Sequence, residues 1–181
     1  MADWEVITEG KISGSTTNTI DISSIPATYQ HLEITISGRI DQSGSYVPVY
    51  SRFNGDSGAN YAYAGWASTH TASHAPFRNT AWMGTVADAF CGYATGNNLS
   101  SGGFSAMNLI IPNYAETVEN KVMLSRGAQG AEDYTDGYTH AMTTGWSSTA
   151  AINQVEFYPY PHAGTVYWEA GTSYMLAGYK G

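Results

Sequence analysis

The sequence predicts an all-β protein: an antiparallel β-sandwich, jelly-roll-like, with long loops rich in Gly, Ser and Thr. Three observations predict it. Apolar residues recur with a period of two, as in His31-Leu32-Glu33-Ile34-Thr35-Ile36-Ser37, where Leu32, Ile34 and Ile36 share one face. Gly, Asn, Asp and Pro punctuate these runs at the spacing of a sandwich or jelly roll. Helical periodicity is nearly absent, with short turns at 115–118 and 147–151 as the exceptions.

In chain order, Trp4–Thr8 and Thr19–Ser23 read as strands, the second ended by Pro26. His31–Ser37 follows, then Tyr46–Phe53. Asn54-Gly55-Asp56-Ser57-Gly58 is a turn, because Asn-Gly accepts the positive φ angles that tight hairpins need. Asn60–Trp66 reads as the return strand of that turn. Residues 67–103 are dominated by small and polar residues and predict long loops, with short strands near 81–83 and 87–93; loops of this length carry binding functions. Regular strands resume at Phe104–Ile111, Lys121–Ser125, His140–Trp146, Ile152–Tyr158 and Thr172–Tyr179, giving about eight to ten in all. Leu32, Ile152 and Leu176 are expected to face inward. No repeat, heptad or linker divides the chain, so residues 1–181 are read as one domain.

Composition narrows the function. The 181 residues suffice for a core without disulfides. Aromatic residues make up 13% of the chain, too many for a disordered tail. The formal net charge is −8 and the seven Lys and Arg are scattered, which excludes the clustered cations that nucleic-acid binding requires. Residues 1–9 carry Asp3 and Glu5 without an apolar run, so no signal peptide is expected, and no stretch has the roughly 20 apolar residues of a membrane-spanning helix. Cys91 is the single cysteine and reads as a small buried residue.

Several motifs invite chemistry that their surroundings do not support. Gly55-Asp56-Ser57-Gly58 matches the serine signature of trypsin-like proteases, but only His31 lies upstream, inside an amphipathic strand, so the turn reading prevails. His70 and His74 have a zinc-compatible spacing only on a helix, and their segment is not helical in composition. Glu132, Asp133 and Asp136 lack a regular calcium-loop spacing. Nothing pairs Glu116, Glu119, Glu132, Asp133 and Glu156 as a glycosidase couple. No catalytic residue, metal or cofactor is therefore assigned.

The aromatic residues are the stronger functional signal. There are 14 Tyr and five Trp, and rings with polar tips suit protein interfaces and sugar rings alike. The candidate contact residues are Tyr61, Tyr63, Trp66, Trp82, Tyr134, Tyr138, Tyr160 and Trp168. The expected fold determinants are Asn54, Gly55, Asp56 and Gly58 in the turn and Trp146 as a strand-end anchor.

Five pieces, in order, carry a resemblance: Ile25–Leu32, Arg52–Tyr61, Ile111–Tyr114, Trp146–Ile152 and Tyr174–Tyr179. Together they resemble β-sandwich virion proteins of tailed phages and cyanophages, among them head decoration or cement proteins and tail-fibre components. The resemblance implies a virion location after assembly in the host cytoplasm, and a cement protein that binds the outer shell as a homotrimer, with the major capsid protein or other virion proteins as partners. The alternatives are a tail-tip or fibre-head module binding host glycans and, third, a polysaccharide-degrading enzyme. The resemblance implies no catalytic residues, and the chain lacks the collagen-like or coiled-coil shaft of long fibres.

Overall fold

The computed structural model describes residues 3–14, 17–69, 72–78, 86–99, 102–129, 137–160 and 166–180, and their side chains except at 69 and 72–78. The strands are β1 (Asp3–Lys11), β2 (Ile20–Ile22), β3 (His31–Gly38), β4 (Tyr46–Phe53), β5 (Tyr61–Thr69), β6 (Ala72–Arg78), β7 (Ala89–Thr95), β8 (Ser105–Pro112), β9 (Lys121–Gln129), β10 (Tyr138–Trp146), β11 (Val155–Pro159) and β12 (Ser173–Lys180). They form an eight-stranded sheet, β1-β12-β3-β8-β9-β10-β5-β6, and a four-stranded sheet, β2-β11-β4-β7. No helix occurs among the described residues.

The topology is a jelly roll with two inserted hairpins. β1 pairs β12, β2 pairs β11, β3 pairs β8 and β4 pairs β7, all antiparallel. These pairs nest, first strand with last, as in one long hairpin. Rolling that ribbon sets β12 against β3 and β11 against β4 and separates the pairs into two sheets. The inserted pairs β5–β6 and β9–β10 lengthen one sheet alone.

Alternation decides what lies between the sheets. Leu32, Ile34 and Ile36 of β3, Val47, Val49 and Phe53 of β4, Met107, Leu109 and Ile111 of β8 and Val155 and Phe157 of β11 are buried in one core, as are Ile152 and Leu176. A fully buried Leu, Ile or Phe contributes about 1.5–3 kcal/mol over an exposed one, so the interleaf dominates stability.

The turn after β4 behaves as its residues require, with φ of 54° at Asn54 and 66° at Gly55, and Asp56 N donates to Phe53 O at 3.0 Å. It does not make the expected simple hairpin, because β5 lies in the opposite sheet; the turn carries the chain across the sandwich. Residues 67–103 differ in part from expectation. β7 at 89–95 answers to the short strand expected near 87–93, but β5 continues to Thr69 and β6 covers 72–78, since sheet pairing overrides the weak strand propensity of Ala, Gly and Ser. His74 thus lies in a strand, while His70 and residues 81–83 lie outside the described residues.

The resembling pieces meet at one end of the sandwich. Asn54 Oδ1 accepts from the N–H groups of Asn153 (2.9 Å) and Gln154 (3.2 Å), and Asn54 Nδ2 donates to Ala151 O at 2.8 Å. The Asp56 carboxylate accepts from Trp146 Nε1 at 2.6 Å, from Asn60 Nδ2 and from Gly58 N. Burial raises the Asp56 pKa, but these hydrogen bonds outweigh it and hold the carboxyl below its ordinary value. Tyr61 receives Phe53 N and donates to Asp56 O, and Tyr114 donates its hydroxyl to Pro26 O. Ile152 N donates to Tyr114 O, and Ser148 Oγ receives Ala150 N in the turn after Trp146. Asp56→Ala leaves the buried Trp146 indole N–H without its acceptor and is expected to cost about 1–3 kcal/mol, read as a lower urea midpoint with an unchanged slope. Asp56→Asn keeps an acceptor oxygen and is expected to lose less.

Candidate functional site

β5 separates the expected contact residues. Side chains alternate along a strand, so Tyr61 and Tyr63 point inward and Trp66, three residues on from Tyr63, points outward. Tyr61 and Trp168 are wholly buried and Tyr138 is 5% exposed, so these three serve the interior rather than an open surface. Trp168 shows why: its indole fills the core and Nε1 donates to Phe157 O, and a polar tip satisfied internally makes a large ring a good core residue. Trp82 and Tyr134 lie outside the described residues, as do Glu132, Asp133 and Asp136.

Tyr63, Tyr138 and Tyr160 belong to a band of rings beside β7. The large sheet reaches beyond the β7 edge of the small one, and rings fill the gap. Tyr160 lies 5.7 Å from Tyr50, Tyr50 lies 5.4 Å from Phe90, and Phe90 is 5.1 Å from Tyr93 and 5.4 Å from Tyr63. Tyr93 contacts Tyr138 at 4.5 Å, and Tyr46 stacks on Tyr138 at 4.9 Å. Tyr46 and Tyr160 are exposed at 45% and 56%. At the other end, the Asp88 carboxylate receives Arg52 Nε at 2.7 Å and the Tyr158 hydroxyl. Burial raises the pKa of Tyr50 and Tyr138, so both present neutral hydroxyls.

The outer face of the large sheet is the broader surface. Trp66 stands on β5, one strand in from the β6 edge, beside the outward small residues Ala64 and Ala141, and Arg126 and Asn108 continue the same row across β9 and β8. One depression beside Trp66 is lined by Ile110, Leu124 and Thr143, and another by Ala106, Ala128 and Thr139. Val122 and Leu124 are exposed on β9, and Trp4 and Val6 on β1. Trp4 meets Tyr179 edge-on at 5.3 Å, and Tyr179 stacks on His31 at 5.8 Å across β1-β12-β3. Among the described side chains, the charged groups at outward positions are Glu9, Glu33, Lys11 and Arg126; two anions and two cations cancel, whereas the chain carries −8. Asn108 Nδ2 donates to Glu33 at 2.5 Å, holding that carboxylate on the sheet.

Sequence reasoning missed this face, although its signal is present. Leu109-Ile110-Ile111 and Val122-Met123-Leu124 are apolar at consecutive positions, which loads both faces of a strand. The seven cations also divide in a way spacing does not reveal. Arg39 is buried on Glu169 at 2.9 Å and on the carbonyls of Leu99 and Gly103, and Lys121 is buried with Nζ donating to Glu119 O. Cys91 is fully buried, as expected, and burial pushes its thiol up to about 12. No group of three His, Cys, Asp or Glu side chains that could hold a metal occurs among the described residues. In sequence, the chain matches no protein-family profile and no curated protein.

One buried group makes the sandwich acid-sensitive. His140 on β10 is 3% exposed beside Tyr93 and Tyr138, and its Nε2 has no hydrogen-bond partner. The ring occupies space left by two glycines: a Cβ at Gly92 would lie 1.9 Å from Nε2, and one at Gly127 2.5 Å from Cε1. Burial lowers its pKa to about 4. The unfolded chain, titrating near 6.5, then takes the proton first, so this group's contribution is complete above that pH and is lost as pH falls from 6.5 towards 4. The loss is on the order of 3 kcal/mol. Thermal unfolding followed across this window is expected to show a falling Tm, and His140→Gln a smaller fall.

Proposed function

We propose that the protein is a non-catalytic structural component of a tailed-phage particle, a decoration or cement protein that docks on the outer shell and stabilises it. The observation that carries the reading is the outer face of the large sheet, apolar and formally neutral in its described side chains, in an otherwise acidic molecule. Exposed apolar patches of this breadth mark surfaces of association, and a net charge far from zero on the remaining surface discourages unspecific contact. The five resembling pieces add the particle context. A ligand that binds only the assembled shell stabilises it by mass action. The proposed partners are the major capsid protein, or another virion protein, and further copies of the same chain.

The ring band favours a second reading, a tail-tip or fibre-head module that binds host glycans through Tyr46 and Tyr160, whose exposed rings have neutral hydroxyl neighbours. Co-sedimentation with empty capsid shells separates the two. The protein is expected to pellet with shells and raise their disruption temperature. Binding to a glycan array without affinity for shells would replace the first reading with the second, and hydrolysis of a capsular polysaccharide would overturn both.

A further inference from the structure

We infer that the outer face of the large sheet is covered by a second copy of this chain. The inference rests on the association reading above and assigns the occupant of that surface.

Charge argues for self-pairing first. Each molecule carries −8, and the described outward side chains of this face sum to zero, so the deficit of positive charge lies elsewhere. The remainder of the molecule carries the net negative charge, so two copies that meet there bring like charge together on average, whereas the described charges of this face cancel. Extent argues next. Seven strands with described side chains span about 29 Å across and about 28 Å along, on the order of 800 Å², which matches what one partner of a stable complex contributes.

Relief completes the case. Trp66 is 43% exposed and rises from a floor of small residues, Ala64 and Ala141 among them, where sheet propensity favours larger branched side chains. The depression lined by Ile110, Leu124 and Thr143 lies directly beside it. A projection and a recess adjacent on one face let each copy seat its Trp66 in the recess of the other, the self-complementarity that a two-fold dimer requires. Trp is also the residue type most enriched among the few that dominate interface energy.

Sedimentation velocity on the full chain tests this. The wild type is expected to sediment as a dimer whose population grows with salt, because screening relieves repulsion between acidic copies and leaves the apolar contact intact. Trp66→Glu and Leu124→Lys are each expected to weaken association by at least about thirtyfold, the loss of an interface hot spot, with wild-type circular dichroism and Tm. Val118→Glu, at an exposed loop position off the face, is expected to change nothing. A monomeric wild type overturns the inference, as does an oligomer indifferent to both face substitutions. Shell binding, measured in parallel, keeps the two readings apart. A monomer that still decorates shells loses only the self-pairing, and an oligomer that ignores shells loses only the particle role.

Discussion

Four strands cannot cover eight, and most of this architecture answers that inequality. The small sheet shields the inner side of the roll proper, where Leu32, Ile34, Met107 and Leu109 meet Val47, Val49, Phe53 and Phe157. Its last strand, β7, lies over β9 and β10, where Ser125 Oγ donates to Cys91 O and Thr144 Oγ1 to Phe90 O; past it the large sheet continues through β5, and there Phe90, Tyr93, Tyr63 and Tyr138 with the His140 imidazole take over as cover. Nothing in the described residues performs that service on the other side. The exposed position of Trp66 therefore follows from its parity on β5 and from the lack of a third layer among the described residues, before any question of what it touches.

A second dependence is topological. The chain crosses between sheets after β4, and a crossing carries no ladder to hold it. Asn54, Asp56 and Trp146 supply the missing order with side-chain hydrogen bonds that reach 90 or more residues along the chain. Two of the five sequence pieces singled out at the start, Arg52–Tyr61 and Trp146–Ile152, contain this clasp, so architecture alone accounts for their residues.

The reach of such contacts along the chain separates what the sequence could disclose from what it could not. Period-two alternation in His31–Ser37 and the Asn-Gly turn dictate local geometry, so the fold class and the inward Leu32, Ile152 and Leu176 were legible. The β5–β6 region was not, because Ala, Gly and Ser there adopt strand only through pairing partners far along the chain. Surface aromatics failed for a related reason. Tyr61, Tyr63 and Trp66 form one cluster on paper, yet parity sends the first two into the molecule and the third out of it. The burial of Trp168 depends on a core that no local window contains. Side-by-side apolar residues at 109–111 and 122–124 were the readable trace of the open face.

Cys91 has a practical consequence. It is the molecule's one thiol, wholly enclosed on β7 between the sheets and protonated at any physiological pH. A maleimide or disulfide reagent can reach it only when the leaves of the sandwich part, so the rate of adduct formation clocks that opening event without an engineered label.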